Sequence, residues 1–485
     1  MQPGIRPIDA VVIVAYIVLV TGIGARLAGR QRSAKDYFLG GRGLPWWAIC
    51  FSVVATETSA LTVISLPGTA YQSDFWFLQL AAGYLLGRIA VAVVLLPRYF
   101  RGEIVTAYAL LETRFGPATR RYASVVFMIT RALADSVRMF AAAIPIRLIT
   151  GIPYWQAILI AGAVTVAYTW VGGLRAVVWI DVLQLAIYLI GGIAALLMLL
   201  RLVPNGWAAI AAAASPDGKF RIVHATGGFA DPRWLFTGLI GGAFLSMASH
   251  GVDHLIVQRL LAARSQRDAQ RAIIGSGFIV FAQFVLFLIV GAGLFAYYGG
   301  RAFANPDEIF PRFILVGLPA GLSGLVVAGI LAAMMSTVSS SLNSLSSALA
   351  NDVWGPLAGR QNDDAWMLRL GRKLTLFWAA VLVGGAILFQ FVRQGTPIVV
   401  TALQIASFTY GGLLGTFLLG VLSKRAGQRD AVFGMTTAIV LMSALWAGQQ
   451  FGWIPRLLDT LWFALAGSVV TVIAGSISAR IRTSP

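Results

Sequence analysis

Apolar residues in this chain do not alternate or recur as narrow amphipathic stripes. They run on for about 20 residues at a time, the length that crosses a bilayer as a helix. Thirteen such runs stand at 7–28, 45–71, 76–98, 119–149, 154–172, 176–202, 233–259, 272–299, 321–350, 368–393, 397–423, 429–449 and 456–481. The pattern predicts an all-α polytopic membrane protein. The polar positions between the runs follow a rule of their own. Basic residues crowd ARLAGRQRSAKDYFLGGRG, RYFRGE with ETRFGPATRRY, QRLLAARSQRDAQRA, GRQNDDAWMLRLGRK, SKRAGQRD and ARIRTSP. The alternate connections, YQSDF, TGIP and 300–309, carry fewer. Positive loops stay on the cytoplasmic side, which places the N-terminus outside and the C-terminus inside. An odd number of spans is what keeps the basic loops together. Within them, GPATRRY and ARSQRDAQRA read as short surface helices or turns. The segment 203–232 reads as an external loop with a short interfacial helix.

Two runs are polar where a helix can break. The second carries Thr56, Glu57, Thr58, Ser59 and Thr62 ahead of Pro67 and Gly68. The seventh carries Ser246, Ser249, His250, Gly251, Asp253 and His254. They lie five spans apart, as interrupted helices of an inverted repeat would.

Composition agrees with the pattern. Of 485 residues, 58% are hydrophobic and 12% charged, against about 25% charged in soluble proteins. The net charge of +18 is spread over alternate loops and is not a nucleic-acid footprint. Cys50 is the only cysteine, so an intrachain disulfide is excluded and a cysteine-based metal site is not expected. No cleavable leader pattern precedes the first run, which is expected to remain in the membrane. The phosphate-binding pattern GxxxxGK[ST] does not occur, and His250 and His254 lack a third ligand. No nucleophile–base set is visible, so an enzyme is not expected. Only RTSP follows the last run, which speaks against a sensor with a soluble output domain.

Polar side chains within the runs are the candidate chemistry, because in a bilayer they usually face a bundle interior or a water-filled path. From Ser336 to Ser347 nine of twelve residues are Ser, Thr or Asn. Ser336, Ser339, Ser340 and Asn343 share one helical stripe, and neutral oxygens so placed suit a hard cation; interhelical hydrogen bonding is the competing explanation. If the second run unwinds, the carbonyls of Ala55 and Thr58 become available to the same ion, whereas an intact helix leaves Glu57 neutral or paired. Arg131, Asp135 and Arg138 are spaced for ion pairing on the fourth run, with one arginine free to face a solute. Asp181 has no cation near it in sequence and reads as a cation ligand, a proton carrier or the partner of a polar group on another helix. Asp253 reads as a solute contact.

The stretches DYFLGGRGLPWWA (36–48), GGLRAVVWIDVLQ (172–184), DHLIVQRLLAARSQRDAQRA (253–272), MSTVSSSLNS (335–344) and FTYGGLLGTFLLG (408–420) together resemble the sodium/solute symporter family, which includes sodium/glucose, proline and sialic acid cotransporters. The resemblance implies a leucine-transporter-type fold of two five-helix inverted repeats, at 45–202 and 233–423. A peripheral first helix at 7–28 and two more at 429–481 complete a single transmembrane domain. It implies a sodium site at the backbone oxygens of Ala55, Thr58 and Ala333 and the hydroxyls of Ser336 and Thr337. A second sodium site would use Asp181, Ser339 and Ser340. Solute-facing positions would be Ser59, Thr62, Phe77, Gln79, Arg131, Arg138, Asp253 and Gln404. Ile180 stands where many relatives have Thr. Ala60, Leu61 and Thr62 replace the acid and amide groups of sugar carriers, which argues against a sugar. The implied protein is a sodium-coupled symporter importing a small polar organic solute by alternating access. It would sit in a cell membrane, as a bacterial inner-membrane protein, and can act as a monomer. Two arginines lean towards a carboxylate-bearing or zwitterionic solute. Proton coupling through Asp181 or Glu57 is the alternative.

Overall fold

The structure is a computed structural model and describes residues 6–27, 33–101, 104–391 and 398–483. Parts of the basic loops at 28–32 and 102–103, and span edges at 392–393 and 397, lie outside them. The elements that matter here are α1 (Pro7–Leu27), α2 (Trp46–Glu57), α3 (Ala60–Gln72), α4 (Phe77–Tyr99), α5 (Pro117–Thr150), α6 (Tyr154–Leu202), α7 (Trp207–Ala214), α8 (Gly242–Gly251), α9 (His254–Leu261), α10 (Gln266–Tyr297), α11 (Leu322–Ala348), α12 (Asp364–Phe389), α13 (Ile398–Leu422), α14 (Gln428–Gln450) and α15 (Phe463–Thr483). Short helices Ala34–Leu39, Ala109–Phe115 and Ile309–Val316 fill connections. No strand occurs among the described residues, only an isolated bridge between Leu44 and Ala263. Nine helices there are long and apolar enough to cross a membrane, or ten when α2 and α3 count as one bent span.

Local chemistry explains the boundaries. α2 stops at Glu57 because Thr58 and Ser59 are extended (ψ 100° and 172°), and α3 leaves at 60° to it. Asp253 interrupts α8 and α9 and caps the latter, its carboxylate accepting from Leu255 N–H at 2.9 Å. Such caps satisfy a donor that the first helical turn leaves free. In α6 the chain turns at Gly173 (φ 57°, ψ −167°), a conformation essentially reserved for glycine. GPATRRY and ARSQRDAQRA are not separate surface helices. They lead into α5 and α10, where Pro117 opens one and Ser265 caps the other. Helix α7 falls where the short helix in 203–232 was expected.

Helix α11 is the centre of the bundle. Of its membrane-length segment 89% is buried, against 61% for the next most buried, that of α13. It packs on α6, α5, α1 and α12, and α2 and α3 also touch it. Elsewhere α4 and α8 meet backbone to backbone. A Cβ on Gly83 would lie 2.3 Å from the Gly238 carbonyl, and one on Gly87 2.3 Å from that of Ala243. This close approach sets Arg88 beside His250.

Candidate functional site

The first cluster forms where α2 ends against α11. The last helical bond of α2 runs from Thr58 N–H to the Val54 carbonyl at 2.9 Å, so carbonyls from Ala55 onward are released from the helix. Facing them, Thr337 donates to the Ala333 carbonyl at 3.1 Å and lies 3.3 Å from that of Thr56. Ser336 is one residue away, its hydroxyl on Asp181 Oδ1 at 2.6 Å. The Thr58 hydroxyl turns to Gln283 Oε1 at 3.0 Å. Neutral oxygens from two elements, with a carboxylate one residue behind, are of the kind that suits a hard cation.

Asp181 is not the lone carboxylate that its own segment shows. It is fully buried, with Ser52 Oγ at 2.5 Å and the guanidinium of Arg259, equally buried, at 3.2 Å. Arg259 also donates to Ser52 at 2.9 Å, to the Leu255 carbonyl at 2.8 Å and to Ser340. The pair joins α2, α6, α9 and α11. Of the proposed second cation set, Asp181 and Ser340 thus meet through Arg259. Ser339 returns its hydroxyl to the Ser336 carbonyl at 3.1 Å. Sequence reasoning missed Arg259 because it was counted with the basic loop. Its signal was a position inside the apolar stretch LIVQRLLA.

A cavity of about 110 Å³ lies beside this junction. Of the residues named as solute-facing, Ser59, Thr62, Phe77, Arg131 and Arg138 line it, together with Glu57, Tyr84, Ser249, His250 and Tyr410. The three other predicted contacts are not on its wall. Gln79 binds the 203–232 connection instead, donating to the Arg233 carbonyl at 2.8 Å and accepting from His224 N–H at 3.1 Å. Gln404 lines a separate cavity of about 310 Å³. Asp253 is sealed behind Tyr410, whose hydroxyl donates to it at 2.6 Å. Arg131 lies 3.4 Å from Asp135 and 3.7 Å from Asp253, and Arg138 3.4 Å from Asp135. The Nε atoms of both arginines lack hydrogen-bond partners among the described residues. Further along α11, Ser341 donates to Asp135, and Ser347 Oγ lies 3.1 Å from His254 Nε2.

The chain as a whole is similar to known proteins. The sequence profile of the sodium:solute symporter family matches residues 37–438. The chain belongs to that family. Its activity is sodium-coupled symport of a solute by alternating access, and it is a multi-pass membrane transporter, not an enzyme. It is 28% identical to the sodium/sialic acid symporter SiaT of Proteus mirabilis over 98% of this chain and 95% of that one. It is 27% identical to the human sodium-coupled monocarboxylate transporter 1 over 91% of this chain and 73% of that one. The sodium/glucose cotransporter of Vibrio parahaemolyticus is 26% identical over 99% and 92%. A solved structure of a sodium-coupled sialic acid symporter, substrate-bound and outward-open, superposes with a TM-score of 0.88 at 28% identity, covering 99% of each chain. A nucleobase-cation symporter in a closed conformation shares the fold alone, with a TM-score of 0.61 at 14% identity over 93% and 95%.

Proposed function

We propose that this symporter imports a small polar organic solute bearing a carboxylate, driven by sodium held at Ala55, Thr58, Ala333, Ser336 and Thr337. The observation that carries the solute class is Arg131. Its guanidinium lines the cavity and is ion-paired through Nε with Asp135 at 3.4 Å and Asp253 at 3.7 Å, but Nε makes no hydrogen bond among the described residues. A planar guanidinium so placed can take a solute carboxylate in a forked, charge-assisted pair. Ser59, Thr62 and Phe77 supply neutral contacts on the same wall. The relatives include carriers of sialic acid and of monocarboxylates, both acids. Sodium at the end of α2 and solute against Ser59, the residue next to Thr58, share one broken helix. Each then favours the same arrangement of that helix and raises the other's affinity.

In this reading the chain crosses the membrane thirteen times, N-terminus outside, with α2 to α6 and α8 to α13 as the two inverted repeats. It works as a monomer in a cell membrane, the inner membrane in a bacterium. The test is uptake of radiolabelled N-acetylneuraminate and of short monocarboxylates into proteoliposomes under an imposed sodium or proton gradient. Uptake driven by sodium is expected. Uptake that ignores sodium and follows pH would transfer the coupling role to a proton.

A further inference from the structure

Glu57 is the one acid on the wall of the cavity that Arg131 lines, among the described residues, and the solute reading above leaves it unused. It stands at the break of the second span, one residue from Thr58. Its Oε2 is held by Arg88 and lies 3.3 Å from His250 Nε2. Arg88 is fully buried and sits behind it, while the Glu57 side chain keeps 16% of its surface exposed. No described residue donates to Oε1. His250 is held from its other nitrogen, which lies 2.8 Å from Ser249 Oγ. The carboxylate is thus fixed on one oxygen and free on the other.

We propose that Glu57 Oε1 reads a hydroxyl group of the transported solute, which makes hydroxylated carboxylic acids the substrate class. This rests on the reading that Arg131 takes the solute's carboxylate. An ionised carboxylate only accepts hydrogen bonds, so the group it selects is a donor. Arg88 already neutralises Glu57. An ammonium there would bring an unmatched positive charge beside a buried guanidinium and next to the sodium junction at Thr58. A hydroxyl brings no charge and still gains a charge-assisted bond. Arg131 and Glu57 then act as two poles, one for the acid and one for its hydroxyls.

Three six-carbon acids separate the possibilities: D-gluconate, hexanoate and L-norleucine, each competing for sodium-driven uptake by the full chain in proteoliposomes. Gluconate is expected to compete at least about tenfold better than the other two, the scale of one charge-assisted hydrogen bond. Gluconate no better than hexanoate overturns the role of Glu57, and norleucine equal to gluconate assigns the pole to an ammonium instead. The comparison uses the unaltered protein, so it does not depend on a variant folding. In the double variant Glu57→Leu with Arg88→Met, which removes both members of the buried pair, the gluconate advantage is expected to disappear. Its persistence would place the selectivity elsewhere. Sodium-driven uptake without gluconate preference defeats only this inference, whereas uptake indifferent to sodium defeats the coupling reading beneath it.

Discussion

At the scale of single residues the molecule turns on how buried charges find partners. Asp181 and Arg259 are each fully buried and depend on one another. Removing one partner of such a pair leaves an uncompensated charge, at a cost of about 3–5 kcal/mol. Arg259→Met is therefore expected to lower the melting temperature of the purified protein clearly, and adding Asp181→Asn to restore part of it. No recovery in the double variant would show that Arg259 matters through packing alone. Thr337 is a different case, because its hydroxyl meets only carbonyls, those of Ala333 and Thr56. Thr337→Ala should raise the sodium concentration for half-maximal uptake about tenfold, the loss of one ligand oxygen, with folded yield little changed. Equal losses of yield and sodium response would make Thr337 a packing residue. Asp181 stood out in the sequence because a carboxylate in an apolar run needs a partner, and the partner it has is Arg259. Arg259 did not stand out, since its partner lies 78 residues away and an arginine near a basic loop has a ready reason to be there.

At the scale of elements, both breaks were written in local chemistry. Small hydroxylic residues ahead of Pro67 weaken one helix, and the Gly251–Asp253 sequence ends another with its own cap. What local chemistry does not contain is where a freed side chain turns. The family resemblance placed Gln79 and Gln404 against the solute together with Phe77. In the structure the long connection at 203–232 claims the first, and the second lines a separate cavity. The break at Asp253 allows a prediction. Asn keeps the oxygen that caps α9 and loses the charge 3.7 Å from Arg131. Asp253→Asn keeps the cap but removes one charge of a buried pair, so it should cost less than the about 3–5 kcal/mol of an unpaired buried charge only because Asp135 still stands beside Arg131. It should also tighten binding of a carboxylate solute, because a competing anion is gone. Weaker binding with intact stability would mean that Asp253 orients Arg131 more than it competes for it. Gly173 makes the opposite case: at φ 57° and ψ −167° an alanine is strained by about 1–3 kcal/mol, so Gly173→Ala should destabilise the fold without selective effect on sodium.

At the scale of the whole molecule, the distribution of charge carries an expectation about orientation. The net +18 is concentrated in alternate connections, and only an odd number of crossings collects those on one side. Neighbour relations among the helices were not visible, because each apolar run is compatible with many partners. The centrality of α11 came partly into view, since hydroxyls at that density have no reason to face lipid. Orientation itself can be measured with little engineering. Cys50 is the only cysteine and is buried, so a Cys50→Ser background is silent to thiol reagents. In that background Ser215→Cys lies directly after the end of α7, and Lys424→Cys between α13 and α14; both positions are exposed. With the N-terminus outside and thirteen crossings, six spans precede the first position and eleven the second, which puts them on opposite sides. A membrane-impermeant maleimide should label Ser215→Cys in intact cells and Lys424→Cys only after permeabilisation. Labelling of both from outside would break the odd count between them, and the reverse pattern would invert the whole molecule and the direction in which its basic loops face.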